Sequence, residues 1–187
     1  NCNFQNPQIH RMIYNMQKSG LDIIEVGFLR NKWDTDFNGN STFFTDVKQI
    51  TPYIPSDRVS QFVAFIDLGM FDFSTLSEYD GTSVDGIRLG FTKKDLTDSI
   101  DALLDSSKLI KEKGYRLFLQ GVNSLNYSDM ELLELIQIVN KIEPYSFGIV
   151  DTYGAMYVDD VHRLFTLIDH NLNMDIAVDF HSHNNMQ

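Results

Sequence analysis

The sequence predicts an α/β barrel of the (β/α)8 type, on three observations. Short apolar runs rich in β-branched and aromatic residues alternate with amphipathic stretches along the whole chain. Polar residues collect where those runs end, namely Glu25, Asp67, Arg88, Gln120, Asn123, Asp151 and the pair His181 and His183. The first run continues as Glu25-Val26-Gly27-Phe28-Leu29-Arg30, which is no glycine-rich phosphate turn, so a dinucleotide-binding sheet is disfavoured. Regular alternation also demands crossover connections, and therefore a parallel sheet covered by helices.

Six strands are expected, near 22–27, 61–68, 86–91, 115–120, 146–151 and 175–181. A helix over 9–18, closing at Gly20, precedes the first. Others follow over 94–113, closing at Gly114, over 129–142, ending before Pro144, and over 158–171. Thr97-Asp98 and Ser128-Asp129 offer N-terminal caps or first-turn carboxylates, and Lys111 and Lys113 sit where the helix dipole favours cations.

A closed barrel of this type needs eight strands. The expectation is a single partial catalytic domain over 1–187 that holds strands two to seven of the barrel, with the first and last missing. One strand would precede Asn1, and a helix, a strand and a final helix would follow Gln187. The alternative is a smaller open α/β domain. After the first strand, the segment 31–40 carries Trp33, Asp34, Asp36, Phe37 and Gly39, and reads either as a substrate lid or as a surface excursion anchored by its Trp. A second loop of similar character runs over 72–85, with Gly81.

At 187 residues, with 43% hydrophobic residues, the chain is long enough for one domain with a core. Its net charge of -11 argues against a broad nucleic-acid or anionic-membrane surface, because phosphate binding draws on Lys and Arg. The single Cys2 forms no internal disulfide, and the apolar run Phe62-Val63-Ala64-Phe65-Ile66 is interrupted by Asp67, short of a membrane span. A soluble, cytoplasmic protein acting on small molecules or proteins is expected. The chain does not begin with Met, which leaves targeting open.

Three groups of residues carry chemistry. His181 and His183 are two apart on an extended segment, so both point to one side and can grip a single metal ion; the bland alternative is two polar residues decorating a loop. Glu25 and Arg88 are opposite charges inside apolar strands, where burial demands partners, and Asp151 is a further candidate partner. They form either part of a site or an ion-pair network that fixes strand register. Asp151-Thr152-Tyr153-Gly154 can present N–H groups and a hydroxyl to a substrate carboxylate, while Gln120 and Asn123 offer neutral amides for a keto or hydroxy group. Each could instead cap a helix or satisfy a core hydrogen bond.

Taken in order, Ile24-Glu25-Val26-Gly27-Phe28, Ile87-Arg88, Gln120-x-Val122-Asn123, Asp151-Thr152-Tyr153-Gly154 and Phe180-His181-Ser182-His183-Asn184-Asn185 resemble the HMG-CoA lyase-like group, the DRE-TIM metallolyases. Within it the similarity is greatest to 4-hydroxy-2-oxovalerate aldolases. The resemblance implies a divalent metal, Mn or Mg in preference to Zn, with His181 and His183 as ligands. It also implies retro-aldol cleavage of a 4-hydroxy-2-keto acid, or its reverse. Gln120, Asn123, Asp151 and Thr152 would bind substrate, and Arg88 and Glu25 are candidates for catalytic roles.

Departures from the family pattern qualify this. The family's third protein ligand, an Asp, its neighbouring catalytic Arg and the aldolases' catalytic His have no counterpart in these residues, so this chain alone is expected to be inactive. Gln120 stands where related condensing enzymes often carry Glu, which points away from isopropylmalate- or homocitrate-synthase chemistry. An acyl-CoA condensing enzyme and a non-catalytic barrel module of a larger protein remain the alternatives. A homo-oligomer, or a partner dehydrogenase that receives an aldehyde, is the association such an aldolase implies.

Overall fold

The computed structural model describes residues 3–32 and 41–183. Cys2, the loop residues Trp33, Asp34, Asp36, Phe37 and Gly39, and Asn184 and Asn185 lie outside the described residues. Among the described residues there are seven strands: β1 (Ile23–Leu29), β2 (Phe43–Phe44), β3 (Gln61–Asp67), β4 (Gly86–Phe91), β5 (Arg116–Gly121), β6 (Ser146–Asp151) and β7 (Ala177–Ser182). Five helices accompany them: α1 (Asn6–Lys18), α2 (Lys93–Asp98), α3 (Ile100–Glu112), α4 (Asp129–Ile142) and α5 (Val158–Asn171). The strands form a parallel sheet in the order β2-β1-β3-β4-β5-β6-β7. This is the expected α/β class, and strand order that follows chain order apart from β2 is consistent with a partial barrel. The six expected strands are all present, and β2 is a seventh that the sequence pattern did not reveal. Among the described residues no helix is long and apolar enough to cross a membrane.

The chain divides into two compact units, residues 1–89 with 109–116, and residues 90–108 with 117–187. In the first unit, α1 turns Ile9, Ile13 and Gln17 inward. The Gln17 amide earns its burial by bonding backbone, accepting from the Val59 N–H and donating to the Asp57 carbonyl. Gly20 ends the helix with a positive φ of 81°, the left-handed position glycine takes without steric cost. In β1 the register shifts between Glu25 and Phe28, and Gly27 there has φ 143°. The Thr42 carbonyl occupies the space a Cβ on Gly27 would need, and it accepts a hydrogen bond from the Phe28 N–H at 2.8 Å. Glycine at 27 therefore lets β2 dock against β1, with Phe28 paired to Phe43 and Leu29 to Phe44. Past β1, Asn31 clasps the other expected loop: its Oδ1 accepts from the Asp72 N–H at 2.7 Å and its Nδ2 donates to Thr75 Oγ1 at 2.8 Å.

In the second unit the expected helix over 94–113 is broken. Thr92, not Thr97, is the N-cap of α2, in a capping box with Asp95, and Ser99 (φ -146°, ψ 28°) interrupts the helix before α3 begins. Thr97 turns its hydroxyl back to the Lys94 carbonyl instead. Ser128 caps α4 as expected, with Glu131 closing the box. Leu132, Leu135, Ile136, Val139 and Ile142 recur at helical spacing and form the buried face of α4. Glu143 then adopts φ 51° before Pro144, which ends the helix. Asn140 ties α4 to the end of α5 by donating to the Asn171 carbonyl and accepting from the Asn173 N–H, each at 2.8 Å. Every residue of β6 is buried, whereas β7 is the half-exposed last strand of the order.

Candidate active site

In the first unit, β1 and β4 bring the two charges together. Arg88 Nη1 donates to Glu25 Oε2 at 2.9 Å, with the Arg88 and Glu25 side chains 15% and 30% exposed. A charge in an otherwise apolar strand is tolerable because the opposite charge meets it in a charge-assisted hydrogen bond. The pair exists as the sequence implied, and it serves equally as a structural tie and as a charged element of a site.

In the second unit, the expected residues gather at the carboxyl ends of β5, β6 and β7. Asp151, only 3% exposed, spends its carboxylate locally: Oδ1 accepts from the Ala155 N–H at 2.8 Å and Oδ2 from the Met156 N–H at 3.2 Å. It thus holds the loop after β6 in shape. Thr152 has two roles. Its Oγ1 accepts from the Asn123 N–H at 2.8 Å, and its carbonyl oxygen accepts from His183 Nδ1 at 2.7 Å. One residue therefore joins the strand ends of β5 and β7. Asn123 sits at φ 57°, ψ 56°, a left-handed conformation that Asn tolerates better than most residues and that turns the chain sharply after β5.

His181 and His183 converge as the two-residue spacing predicts. Their Nε2 atoms lie 2.8 Å apart, and the rings meet edge to face with centroids separated by 4.7 Å. A carbonyl can only accept, so His183 Nδ1 carries the proton toward Thr152, and with His183 Nε2 bare the 2.8 Å contact is donated by the Nε2–H of His181. Among the described residues no group of three or more His, Cys, Asp or Glu side chains is placed to hold a metal. Once the proton on His181 Nε2 is released, the histidines offer two ligating nitrogens on one side of β7, with the second-sphere hydrogen bond that metal-ligating imidazoles commonly make. On donor chemistry and convergence they fit part of a cation site.

Gln120 belongs to a row with two residues the sequence pattern did not single out, Gly148 and Asp179. Gln120, Gly148 and Asp179 are paired neighbours across β5, β6 and β7. Gln120 is fully buried, and its Nε2 donates to Asp179 Oδ2 at 3.2 Å, while the Ser146 hydroxyl donates to the same oxygen at 2.8 Å. The signal was present in the sequence, because Asp179 is a charge in a strand and lies two residues before His181, on the same side.

No family model matches the chain, and no curated protein is similar to it in sequence. A solved structure does match: the N-terminal domain of a "putative aldolase" from Bacteroides vulgatus, with a TM-score of 0.73 and 20% identity over 99% of this chain. This chain shares that domain's fold. It spans 60% of the length of the matched structure. At such low identity the likeness establishes architecture, and the chemistry rests on the side chains.

Proposed function

We propose that this chain is part of a metal-dependent carbon–carbon lyase that acts on a 4-hydroxy-2-keto acid. The observation that carries the reading is the 2.8 Å approach of the His181 and His183 Nε2 atoms, with His183 held by the Thr152 carbonyl. Two imidazole nitrogens on one side of a strand suit a divalent cation such as Mn or Mg. When bound, the cation would polarise the substrate's 2-keto oxygen and ease bond cleavage beside it.

The protein's own groups divide the remaining work. Thr152 orients His183 through its carbonyl and fixes the turn at Asn123 through its hydroxyl. Asn123 and Thr152 contact substrate in this reading, while Gln120, expected from the sequence to join them, is fully buried, and Asp151 keeps the loop in shape. Glu25 and Arg88 form their ion pair within the first unit. The chain's likeness in fold to the N-terminal domain of a putative aldolase is in keeping with that reaction class.

Pyruvate release from 4-hydroxy-2-keto acids by the full-length protein, with and without Mn, tests the reading. Metal-dependent release that is lost in His181→Ala and His183→Ala is expected. Release of free CoA from acyl-CoA and a keto acid, with no pyruvate formed from the hydroxy-keto acids, would replace it with a condensing activity. The absence of both activities would leave a binding module.

A further inference from the structure

The pairings Gln120 with Gly148 and Gly148 with Asp179 set three residues in one line across three parallel strands, so their side-chain positions share one face of the sheet. Gly148 leaves the middle of the line open. A Cβ there would collide with the Gln120 amide, which extends over the glycine to reach β7. Asp179 Oδ2 then accepts two hydrogen bonds, from Gln120 Nε2 and from the Ser146 hydroxyl, whose residues are 0% and 4% exposed.

A carboxylate accepts and cannot donate, so it selects one of the two orientations open to a glutamine amide: NH2 toward β7, carbonyl oxygen away from it. We propose that Asp179 is a positioning residue, which acts through the buried Gln120 amide: by fixing its orientation it holds the end of β5, which leads into Asn123, in place for substrate. Gly148 is the gap that allows the contact. The substrate part of this assignment rests on the lyase reading above. The orientation of the amide does not.

Asn at position 179 keeps the shape but offers both a donor and an acceptor, so the Gln120 amide loses its single preferred orientation. Glu at position 120 sets two carboxylates side by side. Combining Gln120→Glu with Asp179→Asn restores a donor–acceptor pair with the direction reversed. Gly148→Ala displaces the Gln120 amide while leaving the Asp179 charge in place.

The test uses the full-length protein and three readouts: the side-chain NH2 signals of Gln120 in 15N NMR, the KM and kcat for pyruvate release, and Mn affinity. The signals should shift and exchange faster with water in Asp179→Asn and in Gly148→Ala. KM should rise about 10-fold with kcat within about threefold, as expected for lost substrate positioning, and Mn affinity should stay unchanged. Gln120→Glu should lower the melting temperature, and the double variant should recover most of that loss. Gln120 signals that do not move in either variant, or a wild-type KM in both, overturn the proposal. If the wild-type protein releases no pyruvate, the lyase reading fails separately, and the Gln120 signals still decide whether Asp179 holds the amide.

Discussion

The carbonyl oxygen of Thr152 accepts a hydrogen bond from Nδ1 of His183 at 2.7 Å, joining the loop after β6 to the end of β7. The bond dictates the tautomer of that ring, because the proton must sit on the nitrogen that faces the carbonyl. In 15N NMR at pH above the histidine range, His183 should show a protonated Nδ1 and a bare Nε2. The opposite tautomer would remove the lone pair from the side on which His181 approaches.

Glu25 and Arg88 form a half-buried pair, so removing one partner should hurt more than removing both. Arg88→Leu should cost about 2 kcal/mol in urea unfolding, since it leaves a carboxylate poorly compensated in an apolar strand. Glu25→Leu combined with Arg88→Leu should recover most of that. A neutral Arg88→Leu would show that the pair contributes nothing to the fold.

Gly27 faces both a positive φ and a neighbouring carbonyl that fills its Cβ position. Gly27→Ala should therefore destabilise by about 3 kcal/mol or more, and should loosen the pairing of β2 on β1. Thermal melting and amide exchange at Phe28, whose N–H bonds Thr42, read the two effects separately.

Acid should act through the cap of α4. The hydrogen bond from Lys93, then those from the Ser128 N–H and hydroxyl, hold the Glu131 carboxyl down at about 2, from an ordinary 4.5. A carboxyl with a depressed folded value contributes its full stabilisation above the unfolded value and loses it as pH falls through the folded one. This contribution should fade between about pH 4.5 and about 2. Lys93→Met should move the Glu131 midpoint, followed by 13C NMR, toward the ordinary value. An unchanged midpoint would show that the contact with Lys93 is not made in solution.

Much of the scaffold was legible because each β strand longer than two residues is an apolar run bounded by turns or helices. The apolar faces of α4 and α5 likewise recur at helical spacing, and both helices run over the residues expected of them. β2 was not legible, since two residues carry no periodicity and Phe43–Phe44 is defined by its docking over Gly27. The break at Ser99 was hidden because Thr97-Asp98 resembles a helix start, while the capping box at Thr92 and Asp95 lies one turn earlier. At the site, the His181–His183 spacing gave its geometry directly. Asp179 escaped because its meaning depends on Gly148, a residue that matters for the side chain it lacks.

The central claim is that His181 and His183 hold a divalent cation. Titration of the full-length protein with Mn, followed by the loss of the free-ion EPR signal, tests it most directly. One Mn should bind per chain, with binding lost in both His181→Ala and His183→Ala. Equal Mn binding by the wild-type protein and by the variant with both histidines replaced would contradict the account.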